Sequence, residues 1–590
     1  MKKLFINLVC PMIFFTCVLA ISACGKYDSN KNNQHVCSYI SEVFEPTCTK
    51  KGYTQHKCDC GNIYITDELD ELGHDLECIA EDKYKNQEAD CNQKAIYFRS
   101  CSRCDFISED EFEFGELKEH QLGEFLHDAV YGKYRICGAC EKIKGELPII
   151  SINTISGENI ETKDYIDTKI SVSSCAEEYV LDEVDAEVKV RGNGTATHPK
   201  KPYRIKFNKK QKMLGLNNDL KAKSWVLLAE YVDKSFSRNI LAFSLAEALM
   251  EVDNYYVSDY KLVEVYINGE YNGVYVLAEQ QQVNDGRVDI NEPEEDYNGV
   301  DIGYFLEFDT YAQDEDFYFS IDYKNSLTTY AGQICGIDKF NPYYTIKSDI
   351  YSIEQKEYIA KYMQNLYDVL YETIYNSSNG EYVYKTLDEN GNIIEDHTIS
   401  SKEEAVCKLI DINSLVSTYI LNEIVMNVDY GWSSFFMSID MSENGNKKLT
   451  FEAPWDFDWA ITGDLSKVNN VFACNVNSDF FTATDCVNPW LMILCNEDWF
   501  WDKVEAKYQS FRESNIVQII SENIFDLSEF YEINFQNNFQ LWANSLTYQG
   551  YNAQEFINCS SQKEASALII NWFERRIEFL DQWWGYTEEN

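Results

Sequence analysis

The sequence predicts an α+β protein in which a β-rich small lobe is followed by a larger helical lobe, both after a stretch of small Cys/His-rich repeats. Three observations predict this arrangement. Strand patterns dominate residues 147–278, helical apolar spacing dominates from residue 353 onward, and half of the twenty cysteines fall between Cys37 and Cys140. A chain of 590 residues is also too long for one hydrophobic core.

The strand-rich part begins at residues 147–152 and contains one helix, predicted over residues 237–250. The pair Asn268-Gly269 is a strong hairpin signal between its last two strands. Further strands are predicted at 186–190, 203–207, 225–228, 262–267 and 274–278, and later helices at 355–375, 412–426, 498–514, 516–543 and 565–584.

The charge and composition exclude two classes of protein. A formal net charge of −47 repels nucleic acids and anionic membrane surfaces, so we expect no nucleic-acid partner. A hydrophobic content of 45% excludes disorder for most of the chain.

The N-terminus has the pattern of a secretory signal. Lys2-Lys3 precede an apolar run over residues 4–21, and Ile21-Ser22-Ala23-Cys24 resembles the lipobox of bacterial lipoproteins. The resemblance implies a signal peptide at 1–23, lipidation of Cys24, a tether at 24–34 and attachment to the outer face of the cell membrane through lipid alone. An uncleaved anchor helix and an ordinary signal peptide remain alternatives.

Residues 35–145 form a Cys/His-rich repeat region. Cys48–Cys58, Cys91–Cys101 and His127–Cys137 share one separation, a further cysteine follows each pair, and a histidine precedes each unit. Four such ligands are the number that structural zinc takes, so zinc-ribbon-like units are predicted. Taken consecutively, the predicted zinc ligands are His35, Cys48, Cys58 and Cys60, then His74, Cys91, Cys101 and Cys104, then His120, His127, Cys137 and Cys140.

Disulfides are the alternative for this region, because the outside of a cell is oxidising and Cys37 and Cys78 do not fit sets of four. The segment, with Gly73-His74-Asp75, resembles short Cys/His repeats in surface proteins of low-GC Gram-positive bacteria. That resemblance implies a surface location and supplies no function.

Acidic residues cluster between Asn427 and Asp458. Asp429 lies in a loop between a predicted helix and strand, and Asp456 and Asp458 follow a second short strand among aromatic residues. Carboxylates so placed are held together if a cation sits between them, whereas a turn cap or an arginine pair is the simpler alternative.

Basic residues cluster in the strand-rich part. The loop Arg191-Gly192-Asn193-Gly194 would let backbone amides approach phosphate oxygens, although such a loop is often only a turn. The alternative for Lys200, Lys201, Arg204 and Lys206 is a solvated basic face, but four cations within seven residues are unusual in so acidic a chain.

Several blocks in this order resemble the CotH family, named for spore coat protein H, over about residues 147–585. They are Arg191–Thr195, Pro199–Phe207, Trp225–Ala229, Asp233–Ser235, Arg238–Ala242, Tyr266–Tyr275, Glu279-Gln280, Arg287-Val288, Asn427–Asp429 and Trp455–Asp458. The resemblance implies an atypical protein-kinase-like domain at 147–590. It also implies transfer of phosphate from ATP, with magnesium or manganese, to Ser or Thr of extracytoplasmic or coat proteins.

The acid-bearing loops also follow the plan by which protein kinases place a catalytic and a metal-binding aspartate. We predict that Asp429 is the base and that Asp456, with Asp458 or Asn427, binds the metal. Lys206, paired with Glu247, is predicted to contact phosphate. The residues predicted to contact the nucleotide are Arg191, Gly192, Gly194, Arg204 and Glu279. The chain lacks His-Arg-Asp, and Asp458 follows Asp456-Phe457 where kinases have Gly.

Two other classes of function remain open. One is a catalytically silent surface or coat-binding module of the same fold, and the other is a glycan-binding protein with aromatic platforms in a groove. Glu307 and Asp309 alternate on one face of a predicted strand, where a second acidic pair is the alternative to the favoured solvated strand face. The C-terminal tryptophans are predicted to pack in the core.

Overall fold

A computed structural model describes residues 36–118, 120–124, 126–128, 132–324, 327–335, 343–377, 382–475 and 488–587. Contacts divide them into two units. The repeat unit contains the described residues up to Leu122 together with Cys137–Glu141. The main unit contains Gly123–Ile136 and the chain from Lys142 onward.

The repeat unit is built from two small antiparallel sheets. The first has the order β1-β2-β3, and in the second β6 lies between β4 and β5 on one path and also pairs with β7. Its strands are β1 (Tyr39–Phe44), β2 (Gly52–Cys58), β3 (Ile63–Leu69), β4 (Leu76–Glu77), β5 (Lys85–Gln87), β6 (Ala95–Cys101) and β7 (Ile107–Phe114). A short sheet of β8 (Leu126–Asp128), β9 (Gly132–Ile136) and β10 (Ile143–Gly145) groups with the main unit, although its residues belong to the predicted repeat region.

The main unit contains a closed β-barrel. Its strand order is β11-β12-β13-β14-β15-β17-β16, and β11 closes the barrel by pairing parallel with β16. Alternate residues such as Ile152, Ile205 and Trp225 fill the interior and are fully buried. The strands are β11 (Ile149–Thr154), β12 (Ile166–Ser173), β13 (Leu181–Val190), β14 (Tyr203–Gln211), β15 (Ala222–Leu228), β16 (Tyr260–Ile267) and β17 (Glu270–Glu279).

A second, antiparallel sheet follows the barrel in the chain, with the order β19-β22-β18-β25-β26. Its central strand β18 carries Glu307 and Asp309. The remaining strands are β18 (Gly303–Asp309), β19 (Tyr318–Ser320), β20 (Leu327–Thr328), β21 (Ile334–Cys335), β22 (Tyr343–Ile346), β23 (Lys385–Leu387), β24 (Ile393–Glu395), β25 (Phe435–Asp440) and β26 (Thr450–Phe451).

The longer helices of the main unit share one apolar core with the second sheet. The helix α2 packs against α5 and α8, and α11 packs against α5 and α8. The helices are α1 (Leu216–Asp219), α2 (Arg238–Met250), α3 (Ile353–Asn376), α4 (Lys402–Leu409), α5 (Ile412–Val425), α6 (Pro489–Met492), α7 (Asp498–Glu513), α8 (Ile516–Phe530), α9 (Glu532–Leu541), α10 (Gln554–Asn558) and α11 (Gln562–Trp583).

The predicted strands and helices are confirmed, with one correction. Asn268 and Gly269 both have positive φ, as a tight hairpin turn requires. The single helix predicted over 516–543 is instead two helices, α8 and α9, because the backbone at Tyr531 leaves the helical conformation (φ −105°, ψ 23°). Among the described residues, no helix is long and apolar enough to cross a membrane.

Candidate functional site

A cavity of about 1210 Å³ in the main unit brings together residues from the barrel, the second sheet and the loops around it. The barrel side contributes Arg191 to Thr195 and Arg204, and the other side contributes Asp429, Asp456 and Asp458. The cavity therefore brings acidic residues and two arginines together, whereas Lys206, the cation predicted to meet Asp429 and Asp456, does not line it.

Asp429 lies directly after helix α5. Met426 ends that helix in the left-handed conformation, and Asn427 then caps the short helical turn Val428–Gly431 by accepting a hydrogen bond from the Asp429 backbone N–H at 3.1 Å. The Asn427 side chain thus binds a backbone N–H group, and the residue does not line the cavity. The structure therefore does not bring Asn427 into the cavity with the predicted metal ligands Asp456 and Asp458.

The start of α2 holds the loop that carries Asp456 and Asp458. Asn239 accepts a hydrogen bond from the Phe457 backbone N–H at 2.9 Å, and Arg238 donates to the Asp458 backbone carbonyl at 2.8 Å. Asp456 itself has a positive φ of 66°, a strained conformation that surrounding contacts must maintain. The loop is therefore fixed by two buried polar side chains that do not line the cavity.

The carboxylates of the cavity repel one another in a poorly solvated place. Burial, with the nearby Asp456, raises the pKa of Asp429 to about 7. Burial also raises the pKa of Asp458 well above its ordinary value, and Asp456, Asp429 and Glu230 add to the effect. Such a group of acids has a strong electrostatic preference for a cation.

Two further acids, Glu307 and Asp309, line the same cavity. Both are nearly buried, so the predicted solvated strand face is wrong. Lys347 pairs with Glu307 at 2.9 Å, and burial raises the pKa of that glutamate. Ser434 connects the two acidic groups, because its backbone N–H donates to Glu307 at 3.1 Å and its hydroxyl donates to Asp456 at 3.2 Å. Their alternation on a strand was visible in the sequence, but their burial was not.

Arg191 and Arg204, with Lys163 and Lys189, supply the positive side of the cavity. Arg191 follows β13, and its guanidinium lies 5.5 Å from the ring centre of Trp455. Arg204 lies on β14, where one terminal nitrogen donates to the Ser224 hydroxyl at 3.3 Å while its buried Nε has no hydrogen-bond partner. Arg204 lines the cavity, and a buried donor without a partner is a group that a hydrogen bond to a ligand would stabilise.

The glycine loop borders the cavity as well. Gly192 has a φ of 83°, and a Cβ placed there would lie 2.2 Å from the Thr195 hydroxyl oxygen, so only glycine fits. Gly192 and Gly194 both line the cavity.

Lys206 and Glu279 lie elsewhere. Lys206 is two residues beyond Arg204 on β14, roughly 7 Å along the strand. It is exposed and 3.6 Å from Glu187, instead of pairing with Glu247. Glu279 is buried in an ion pair with Arg287 at 2.9 Å and hydrogen-bonds to Asn217. Neither residue lines the cavity.

Sequence analysis did not identify Glu230 as a buried acid close to the cavity. This buried glutamate accepts a hydrogen bond from Asn239 at 3.0 Å, and burial, with the nearby Asp233, raises its pKa to about 8. It lies beside a narrow space that Asp456 and Asp458 also line. The positive φ of Glu230, 50°, marks it as an unusual residue in the structure, but no pattern in the sequence indicates Glu230.

In the repeat unit, the Cys/His ligands are brought together in sets that differ from the predicted consecutive ones. Cys48 joins His74, Cys101 and Cys104, and Cys91 joins His120, Cys137 and Cys140, while Cys37 joins Cys58 and Cys60. The consecutive grouping is wrong because each leading cysteine reaches the histidine and cysteines of the following unit. His35, Cys24 and the His127 side chain lie outside the described residues.

The fold and the site together define a mixed helix and sheet domain in which a β-barrel, a second sheet and the loops around them border an acidic cavity with arginines on one side. The sequence profile described as "CotH kinase protein" matches residues 188–580, more than half of the chain. The chain therefore belongs to the CotH kinase family and is a kinase-like protein. No curated protein matches it.

Proposed function

We propose that the main unit is an extracytoplasmic atypical protein kinase that transfers the terminal phosphoryl group of ATP to a Ser or Thr hydroxyl of a surface or coat protein. One observation carries the proposal. Asp429, Asp456 and Asp458 face Arg191 and Arg204 across one cavity, within the part of the chain that matches the family. In this interpretation the barrel serves as the small lobe and the helical part as the large lobe.

The residues present fit a nucleotide with a divalent cation. The repelling carboxylates favour a cation, and the unpaired Nε of Arg204 favours an anion. Among the described residues, no three carboxylates of the cavity come within 4.8 Å of one another. Magnesium suits such a site, because it is usually held by one or two carboxylates and completes its shell with phosphate oxygens and water.

Each side chain has a distinct part in the proposed reaction. Arg191, Arg204 and the amides around Gly192 and Gly194 bind the phosphates. Asp456 and Asp458 would hold magnesium or manganese, which would supply positive charge to neutralise the phosphates. The acceptor hydroxyl forms a bond to the terminal phosphorus as the bond from that phosphorus to the bridging oxygen breaks. ADP leaves, and the hydroxyl proton passes to the Asp429 carboxylate.

The proposed location of the protein in the cell completes the proposal. The lipobox-like N-terminus favours a lipid-anchored protein on the outer face of the cell membrane. The net charge of −47 favours a protein partner over a nucleic acid.

Incubating the full chain with ATP labelled in its terminal phosphate, with magnesium or manganese, tests the proposal. We expect the unaltered protein to label itself, and Asp429→Asn and Asp456→Asn to reduce labelling by about 100-fold or more, because each removes charge that acts in the transition state. Asp498→Asn is the matched control, because Asp498 is an exposed acid at the start of α7.

Thermal melting distinguishes the enzyme from a silent module. We expect ATP with magnesium to raise the melting temperature of the unaltered protein and of Asp429→Asn, which keeps the binding residues. Absence of both labelling and a melting shift would refute the kinase and favour the silent module. A shift without labelling of the chain or of added surface proteins would indicate nucleotide binding without phosphoryl transfer.

A further inference from the structure

The repeat unit has almost no apolar core. None of its residues belongs to either hydrophobic cluster of the described chain. Its strands leave Ile40, Val43 and Leu69 more than half exposed. The buried apolar residues of the unit are mainly its cysteines: Cys48, Cys58, Cys91, Cys101 and Cys137, with Tyr84, Ala95 and Tyr97. Something other than apolar burial must therefore stabilise the unit.

The first group of possible ligands, Cys48, His74, Cys101 and Cys104, has the dimensions of a tetrahedral zinc site. Zinc bonds of about 2.3 Å to sulfur and about 2.0 Å to nitrogen set sulfur–sulfur edges of about 3.8 Å and sulfur–nitrogen edges of about 3.5 Å. Cys48 and Cys101 lie 3.7 Å apart between sulfurs, and the Cys104 sulfur is 3.3 Å from His74 Nδ1. All four ligand atoms lie within 4.8 Å of one another.

The second group repeats this geometry. The Cys91 and Cys137 sulfurs are 3.7 Å apart, and the Cys140 sulfur is 3.4 Å from His120 Nδ1. The agreement is informative because the loops differ in length, with 26 residues between His74 and Cys101 but 16 between His120 and Cys137. Cys37, Cys58 and Cys60 form a third cluster, with 3.5 Å between the Cys37 and Cys60 sulfurs.

Contacts around the sulfurs favour metal-bound thiolates over disulfides. The Asp75 and Arg103 backbone N–H groups each donate to the Cys101 sulfur at 3.4 Å, which stabilises negative charge there. The His74 ring is held by stacking on Phe106, with ring centres 3.9 Å apart. The sulfur separations of 3.5–3.7 Å are far from the roughly 2.05 Å of a disulfide bond.

We propose that the repeat unit binds zinc at two interleaved Cys3His centres, one formed by Cys48, His74, Cys101 and Cys104 and the other by Cys91, His120, Cys137 and Cys140. Each centre takes its first cysteine from one repeat and its other three ligands from the next. Because Cys91 lies within the segment that the first centre closes, the two metals join successive repeats into one continuous structure. The inference concerns residues outside the cavity and does not depend on the kinase proposal.

Pairs of substitutions test the grouping directly. The full chain is purified without chelators, and bound zinc and free thiols are measured for single and double Cys→Ser variants. We expect Cys48→Ser, Cys101→Ser and their double variant each to lose the same single zinc. The double variant Cys91→Ser with Cys101→Ser should lose two zinc ions, because its residues belong to different centres.

Cys78→Ser is the matched control, since Cys78 is an exposed cysteine of the same unit that belongs to neither centre. We expect it to keep all bound zinc. If a variant binds poorly because the unit unfolds, cobalt titration of the unaltered chain gives a second measurement. Tetrahedral cobalt with three thiolates has intense sulfur-to-metal charge-transfer bands, and we expect these bands when cobalt is added. Adding zinc should then remove them, because zinc displaces the cobalt.

Three results would overturn the proposal. One is fully oxidised cysteines without metal in the unaltered chain. The second is loss of one zinc from the Cys91→Ser/Cys101→Ser double variant and of two from Cys48→Ser/Cys101→Ser, which would restore the consecutive grouping. The third is cobalt binding without thiolate charge-transfer bands.

Discussion

The two units of this chain are stabilised in different ways. In the main unit, residues such as Ile152 and Trp225 fill a closed barrel, and a second apolar core joins the helices to the adjacent sheet. In the repeat unit, the buried side chains are mostly thiols, and many large apolar side chains are exposed. The main unit can draw its stability from apolar burial, whereas the repeat unit needs ligands.

This contrast shows how each unit can respond to its surroundings. Apolar burial is insensitive to metal supply and redox state, while a core of thiols and imidazoles is formed only when metal is available and the cysteines are reduced. Perturbations that act on metal binding should therefore separate the two units. Perturbations that act on packing should affect only the main unit.

Metal removal should produce the largest difference. With a chelator and a reductant, we expect the repeat unit to lose its structure, because zinc binding supplies on the order of 10 kcal/mol of folding free energy in small zinc domains. Limited proteolysis should then cut within residues 36–118 while the barrel resists. Cleavage at equal rates with and without chelator would contradict the expectation.

Truncating a barrel residue should have the opposite selectivity. Ile152 is fully buried inside the barrel, so we expect Ile152→Ala to lower the unfolding free energy of the main unit by about 2–5 kcal/mol. Ile155→Ala is the matched control, since Ile155 lies three residues further along and is 64% exposed. Denaturant unfolding measures both, and the zinc content should be unchanged. Equal effects of the two substitutions would argue against the barrel interior.

The buried acid behind the cavity should make the main unit sensitive to pH. The pKa of Glu230 is about 8 in the folded chain, against 4.5 ordinarily, because of burial and the nearby Asp233. Between these pH values the folded state binds more protons than the unfolded state, so stability falls as the pH rises from about 4.5 to 8. Lys200, which is also buried, and Asp456 face the same carboxyl group and influence its charge.

Glu230→Gln removes this titration and keeps an oxygen that can accept the hydrogen bond from Asn239. We expect the variant to be more stable than the unaltered protein at pH 8, by about 2–4 kcal/mol, and nearly equal to it at pH 4.5. Melting temperatures of both proteins across this range measure the difference. A difference that does not change with pH would show that Glu230 titrates normally.

In both units the sequence indicated which residue types matter but not which of them meet. Apolar periodicity predicted six of the seven barrel strands and the longer helices, because it reflects local geometry, but it indicated neither β12 nor the closure of the barrel. Ligand spacing predicted four-ligand sets, but chain separation could not show that Cys48 reaches His74 and Cys101. Likewise, the alternation of Glu307 and Asp309 was readable, whereas their burial depends on how β18 lies between β22 and β25.

The choice between Arg204 and Lys206 shows this limit most sharply. Both are cations on the same face of β14, and the sequence assigned both to the nucleotide but gave the role of the kinase lysine to Lys206. The structure places Arg204 in the cavity with an unpaired Nε, while Lys206 is exposed beside Glu187. We expect Arg204→Ala to weaken ATP binding by about tenfold or more, because a charged hydrogen bond to phosphate is lost.

Lys206→Ala should have the smallest effect of all, since exposed ion pairs contribute about 0–1 kcal/mol. Titration calorimetry with ATP and magnesium compares the two variants, and their melting temperatures without nucleotide serve as the control for folding. If Lys206→Ala abolished binding while Arg204→Ala bound normally, phosphate would contact β14 at the exposed Lys206 instead of in the cavity. The acids of the cavity would then lack their proposed partner, because the phosphate would be bound by a residue that does not line the cavity with Asp456 and Asp458.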